Sequence, residues 1–550
     1  MKKVSTFALI LLLCSIWLPI LDVRTVKAEA KTIVVPEDYA TIQEAVDAAS
    51  DGDTVFVKSG TYNESVFINK SISLVGENPA TTRIIGDWRL NGTVVLIRQN
   101  QVNMKGFTIQ PSEYSFSRKG IHLLHVSHCN VVGNIILNNG YGVWLYGASE
   151  NNITENTVDG QGNRSTGIFV DYSPNNLIFN NIVTDNDSGI ALLNSADENM
   201  VYNNTLISNH AVGLNIASSS NNITDNLVSN QITGVILNGL NNVLRGNKIN
   251  NSTILSFDLN WNIGFSVSDF INDVDSSNKI NGKSIIYWIN KQDEKVPEDS
   301  QFVILVNCKN IIVENLMLPK DGQGIILVNT TDSTIKNNSA QFLKGGIVIF
   351  ASANNKIIGN TLLNCSNGVY LVSSFQTVVT GNSINGGGRT IKLDLSDENI
   401  INGNVISGSL YRGFDFDGSN NNEIFENNVS NCERSAVWFW DNASQNVFYL
   451  NNFFNNTENV EKYITDLQEF PTNIWDNGTI GNYWSDYEGL DSDEDGIGDT
   501  PYIINENNQD NHPLMNPSAI PEFPSWLILP LFLIATFSAL VVKKRITSKT

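Results

Sequence analysis

The chain has 550 residues, 41% of them hydrophobic, and a formal net charge of −22. Both ends are basic, +2 over residues 1–30 and +3 over 522–550, so the part between them carries −27. A surface of that sign repels phosphate backbones and argues against nucleic acid as a partner, while the apolar content, falling in register, argues against a disordered chain.

Lys2 and Lys3, the apolar run 7–20 and Ala28-Glu29-Ala30 make the charged, greasy and small-residue regions of a secretory signal over 1–30, with the mature chain starting at Lys31. Residues 31–53 read as an N-terminal cap. Within them Thr41-Ile-Gln-Glu44 is a capping box opening a short helix, with Ile42, Ala45, Val46 and Ala49 on one face. From 54 to 455 the chain repeats itself. Asparagines at 134, 156, 180, 203, 226 and 247, and again at 315, 338, 360, 382, 404, 427 and 451, recur every 21 to 24 residues. Glycines keep the same beat at 120, 142, 167, 189, 213 and 234, then at 324, 346, 368 and, two coils on, 413. Each opens an alternating strand such as Gly142-Val-Trp-Leu-Tyr146 or Gly413-Phe-Asp-Phe-Asp417, buried on one face and wet on the other.

A unit this small cannot bury its own apolar side, so the units stack as coils of a parallel β-solenoid, about 4.8 Å apart. An asparagine repeated at one turn then forms a ladder that satisfies turn backbone. Between 250 and 310 the coils become irregular around Trp261, Tyr287 and Trp288. Because Asn247 and Asn315 are 68 residues apart, three coils by count, the expectation is a loop inserted in one continuous solenoid. Residues 456–520 read as a C-terminal cap. The apolar run 526–542, followed by Lys543, Lys544 and Arg545, has the length and flank of a transmembrane helix that leaves the bulk of the chain outside; 521–550 is thus a membrane anchor with a basic tail.

Cys129, Cys308, Cys365 and Cys432 fall in the exported part. Cys365 and Cys432, three coils and roughly 14 Å apart, are beyond disulfide reach, so these thiols are expected to be buried packers.

Several constellations carry possible chemistry. Asp491, Asp493, Asp495 and Asp499 stand at positions 1, 3, 5 and 9 of an oxygen-rich loop, with Ile497 at position 7 and Gly496 at the turn, a pattern suited to structural Ca²⁺. The glycine beat puts Tyr370, Lys392, Asp394, Asp415, Asp417, Trp438 and Trp440 on one outer face of four consecutive coils. Asp394 and Asp417 would be about 4.8 Å apart and Asp415 and Asp417 about 6.5 Å, separations that overlap those of glycosidase carboxylates. Tyr370, Lys392, Trp438 and Trp440 would meet the faces and hydroxyls of a polysaccharide. The face supports three readings: sugar binding, catalysis through Asp394, Asp415 and Asp417, or an inert surface. A smaller run, Trp144, Tyr146, Phe169 and Asp171, reads the same way. His122, His125, His128 and Cys129 offer copper or zinc donors, but a spacing of three keeps them off one strand face unless the chain turns near His125. Sequons at Asn63, Asn91, Asn163 and Asn477 could carry glycans on an exported chain.

Thr32-Ile-Val-Val-Pro-Glu-Asp-Tyr-Ala-Thr-Ile-Gln-Glu-Ala-Val, Asp51-Gly-Asp-Thr-Val-Phe-Val and Gly60-Thr-Tyr-Asn-Glu64 resemble the entrance of pectin-lyase-like proteins. Asp275-Ser-Ser-Asn-Lys-Ile-Asn-Gly-Lys283 and Gly481-Asn-Tyr-Trp-Ser-Asp-Tyr487 resemble, more narrowly, NosD-like proteins. Pro521-Glu-Phe-Pro-Ser525 resembles the tails of archaeal surface proteins. These resemblances imply an all-β, right-handed single-stranded parallel β-helix over residues 32–515, and the NosD likeness implies copper handling. That fold hosts lyases, hydrolases, esterases and non-catalytic surface proteins, so the activity has to come from the site.

Overall fold

The computed structural model describes residues 29–87, 90–254, 266–318, 323–440, 442–462 and 470–519. The expected signal up to residue 28, Trp261 and the expected anchor lie outside the described residues; among the described residues no helix is long and apolar enough to cross a membrane.

Alternation makes the strands. In Tyr141–Tyr146, Val143 and Leu145 are buried while Trp144 and Tyr146 on the other face are half-buried. Such a strand leaves both backbone edges unpaired, and each coil resolves this by pairing in parallel with the next: Val143 lies beside Ile168 and Trp144 beside Phe169. Repetition builds an eleven-stranded sheet from Thr32–Val35 to Asp273–Val274, two seven-stranded sheets that begin at Ile312–Glu314 and Ser339–Gln341, and a long remaining face. The glycines are demanded by space rather than by backbone angle. A Cβ on Gly142 would sit 2.3 Å from Val158 Cγ1 and 2.5 Å from the Gly167 carbonyl oxygen one coil on.

The asparagine ladder is present. The Asn360 backbone N–H and Nδ2 both donate to Asn382 Oδ1 (2.8 and 2.9 Å), and Nδ2 also donates to the Ile335 carbonyl at 3.0 Å. Asn382 repeats this toward Asn404. The beat is one residue off at three positions. Asn181 and Asn204, not Asn180 and Asn203, hold the buried column; Leu316, not Asn315, precedes Asn338. Asn180, Asn203 and Asn315 occupy the left-handed corner just before the column, with φ of 56°, 53° and 59°, a conformation asparagine tolerates best after glycine. A second column, Asn151, Asn176, Asn199, Asn221 and Asn242, runs beside the first at another corner.

The expected continuity through 250–310 gives way to a break. Both columns end at Asn272 and Asn278. Asn281 and Gly282 then turn the chain (φ 47° and 83°), and Lys279–Ile280 pairs antiparallel with Lys283–Ile289, from which a second stack grows. Two positive φ angles at Asn-Gly are those of a tight hairpin turn. Strand Lys283–Ile289 divides two apolar interiors: Ile285 and Tyr287 join the first stack's core, Ile286 the second's. The outward faces of the next strands, including Ile304, Val306, Ile326, Val328, Val348 and Phe350, belong to the first core as well. Gln323–Val328 and Gly345–Phe350 are therefore buried on both faces.

At the start, the capping-box helix Ile42–Ala48 forms and lies against Thr32–Val35, Thr54–Val57 and Val66–Ile68. The Glu64 carboxylate accepts from the Ile42 and Gln43 N–H groups at 2.9 Å each, meeting the positive end of the helix. At the finish, the two columns of the second stack run onto the hairpin of Tyr502–Asn505 and Asn508–Asp510: Asn473 donates to Asn508 and Asn482 to Asp510. The four described cysteines are buried and unpaired, as expected.

Candidate functional site

The predicted acidic-aromatic face is assembled in register, Lys392 beside Asp415, Asp394 beside Asp417 and Asp415 beside Trp438, but it is closed. It continues the outward face that the first core buries higher up. Tyr370 is 2% exposed, Trp438 1% and Asp415 0%. Asp415 lies between two guanidiniums, at 2.8 Å from Arg412 and 2.7 Å from Arg389 Nε, whose N–H is not aligned for a hydrogen bond. Arg412 in turn stacks 3.6 Å from the Trp438 ring centroid, with Arg434 at 4.5 Å. Asp394 accepts from Tyr370 Oη and from Lys392 Nζ (2.7 Å), and Lys392 sits 4.7 Å from the Tyr370 ring centroid. Burial and the neighbouring Asp394 charge hold the Tyr370 phenol protonated far above its ordinary range. A general acid, base or nucleophile must reach substrate, and Asp415 reaches only its own arginines. Asp417 and Trp440 are half-buried at the rim. Arg389, Arg412 and Arg434 are members of this network that sequence reasoning omits, although Arg389 and Arg412 fall in the same register.

The smaller aromatic run is the more open site. Tyr141, Trp144, Tyr146 and Phe169 are half-buried and Tyr172 is 53% exposed. Ring centroids step from Tyr141 to Trp144 at 4.8 Å, from Tyr141 to Phe169 at 5.4 Å, from Trp144 to Phe169 at 5.6 Å and from Tyr146 to Tyr172 at 5.9 Å. The result is a continuous platform crossing neighbouring coils, with His122 stacked on Trp144 at 5.0 Å and Lys119 Nζ 4.9 Å from the same ring centroid. Tyr141, His122 and Lys119 sit on the same glycine beat as Trp144. Asp171 is 7% exposed and accepts from Asn194 (2.9 Å), a positioned rather than an open carboxylate.

The C-terminal loop brings three of its predicted ligands together. Carboxylate oxygens of Asp491, Asp493 and Asp495 lie within 4.8 Å of one another, and Gly496 takes φ 89° to let the chain turn. Asp499 is turned instead to Ser492, accepting from its N–H and Oγ at 2.9 and 2.6 Å, and the Ile497 N–H donates to Asp495.

A family profile described as "Periplasmic copper-binding protein (NosD)" matches residues 46–262 and 276–489, most of the chain. The chain belongs to the NosD family. Its sequence is also 28% identical over 121 residues to a cell surface glycoprotein of Methanothermus fervidus, a match covering 22% of this chain and 19% of that relative, so the chain spans about a fifth of the relative's length. Among solved structures, the catalytic domain of a GH87 α-1,3-glucanase in complex with nigerose is similar at a TM-score of 0.35 and 14% identity over 75% of this chain and 67% of that one. A PL6 alginate lyase is similar at 0.27 and 11% over 79% and 99%.

The histidine tract of this NosD-family chain does not fit a copper centre. The chain does turn at His125 and His128, with φ of 54° and 58°, yet the donors diverge. His122 lies on Trp144, and burial together with the nearby Lys119 charge pushes its pKa down to about 4. His125 meets the edge of Tyr146, and His128 Nε2 pairs with Glu150 at 2.8 Å. The Cys129 thiol is buried in the interior, directed at the Gln99 and Ser127 carbonyls. Among the described residues the one cluster of three metal-type donors is the Asp491, Asp493 and Asp495 loop.

Proposed function

We propose that this NosD-family protein is an extracellular solenoid, tethered through residues 526–542, that binds carbohydrate without cleaving it. The observation that carries the reading is the platform of Tyr141, Trp144, Tyr146, Phe169 and Tyr172, whose spacing suits rings laid against the apolar faces of successive sugars. The exported location draws on the signal-like segment 1–30 and on the surface and periplasmic descriptions of the relative and the family. Burial of Asp415 weighs against the alternative of a polysaccharide hydrolase or lyase using Asp394, Asp415 and Asp417. Calcium at Asp491, Asp493 and Asp495 is part of the same proposal, as a structural ion of the C-terminal cap.

Binding of the purified full chain to a panel of acidic and neutral polysaccharides tests this. Trp144→Ala and Tyr146→Ala should each weaken binding at least about ten-fold, the worth of roughly one lost ring stack, with no reducing ends or unsaturated products formed. Products that vanish in Asp417→Asn would overturn the binding-only reading.

A further inference from the structure

The platform has a charge of its own. The chain has 34 basic and 56 acidic side chains, and among the described residues no carboxylate pairs with Lys119 or Arg98. Lys119 is half-buried, and that desolvation alone lowers its pKa, with no acidic neighbour to raise it. Arg98 is exposed one coil earlier, close enough to His122 to act on its titration. A half-buried ammonium without a counterion has only the face of the Trp144 ring in return for its lost hydration, a deficit that a ligand's anion would make good. Beside it, Trp144 Nε1 and His122 Nε2 are buried and have no hydrogen-bond partner among the described residues. An orphaned indole N–H is a donor for which the described chain supplies no acceptor.

We infer that the platform takes an anionic polysaccharide, its sugar faces lying on Tyr141, Trp144 and Phe169, its acidic groups meeting Lys119 and Arg98, and the Trp144 N–H donating to the same strand. This rests on the carbohydrate-binding reading above and adds the class of glycan. The acidic surface elsewhere repels such a polymer and so confines it to this patch.

The test uses the full chain with polygalacturonate, its carboxyl-reduced counterpart, dextran sulfate and dextran, measured by affinity electrophoresis and calorimetry. The parent should prefer polygalacturonate to its reduced form at least about ten-fold, as one charge-assisted contact would give, and the preference should shrink with added salt. Lys119→Ala should remove most of it and Lys119→Arg should keep it, which separates lost charge from lost packing. Stronger binding of dextran sulfate than of polygalacturonate would assign the anionic groups to sulfate rather than carboxylate. Equal binding of the charged and reduced polymers, or a preference that survives in the Lys119→Ala, Arg98→Ala double variant, would overturn the inference while leaving the platform standing. Binding unaffected by Trp144→Ala and Tyr146→Ala would instead remove the platform reading itself.

Discussion

Asp510 ends a column in which Asn427, Asn451 and Asn482 precede it. An asparagine there would hold an amide with no further coil to receive it, whereas a carboxylate only accepts. Asp510 accepts from the Asn482 N–H at 2.7 Å, Trp484 Nε1 at 2.9 Å and the His512 N–H at 3.0 Å, and a Cβ on Gly481 would lie 1.8 Å from its Oδ1. The motif Gly481-Asn-Tyr-Trp-Ser-Asp-Tyr487 is thus the receiver for this one side chain. Burial outweighs these donors and pushes the carboxyl up from 3.8 to about 6. Between those values the native state binds a proton that the unfolded chain has released, so this group's favourable contribution is complete below about pH 4 and is lost as pH rises through about 6. Asp510→Asn removes that titration. The stability of the parent relative to the variant should be greater at pH 3 than at pH 8 by about 3 kcal/mol, the linkage value of a shift of that size; a difference that does not move with pH in denaturant titrations would refute the assignment.

At the scale of elements, the acidic loop is fastened to that same cap. The Gly498 N–H donates to the Pro513 carbonyl, the Met515 N–H to that of Gly496, and the Leu514 N–H to that of Asn482 in the last coil. Three carboxylates within 4.8 Å of one another repel until a cation joins them. Calcium well above its dissociation constant should stabilise the chain by about 2 kcal/mol, EDTA should reverse this, and Asp493→Ala should abolish the response. A melting temperature indifferent to calcium and EDTA would dismiss the ion. The strands and their period are legible in sequence because burial on one face imposes a period of two and stacking a period near 22. The break is not legible by counting, since 68 residues fit three coils; the signal that reveals it is the dipeptide Asn281-Gly282. The closed acidic-aromatic face is misread for a related reason. Gly346-Ile-Val-Ile-Phe350 is apolar at every position, the mark of a strand buried on both faces; Tyr370 and Val372 on the next strand share that cover, and Asp415 and Trp438 beyond them are closed over by Arg389, Arg412 and Arg434. The aromatic platform is legible in Trp144, Tyr146 and Phe169, while Tyr141 and Lys119 drop out because they precede the glycine that sets the beat.

In the whole molecule, two solenoid interiors share a wall. In an uninterrupted solenoid each coil touches only its neighbours and cooperativity passes rung by rung. Here Phe350, on the outer face of the second stack, approaches Phe270 beside the end of the first with ring centroids 5.8 Å apart, and the buried Tyr287 hydroxyl donates to the Phe270 carbonyl at 2.7 Å. The first core therefore gains a wall from residues as far along as Val372, 92 positions beyond Ile280 in its last coil (372 − 280), and the two stacks should unfold as one. Phe350→Ala removes a ring from that wall while leaving the second interior untouched, since Phe350 belongs to the first cluster. The expected cost is about 3–5 kcal/mol, and calorimetry should show one endotherm parting into two as the stacks lose their coupling. Phe416→Ala, a ring of equal size wholly inside the second interior, should lower stability without parting the transition. If the two variants melt alike, the shared wall plays no part in coupling the stacks, and the hairpin at Asn281-Gly282 is a covalent joint between two independent solenoids.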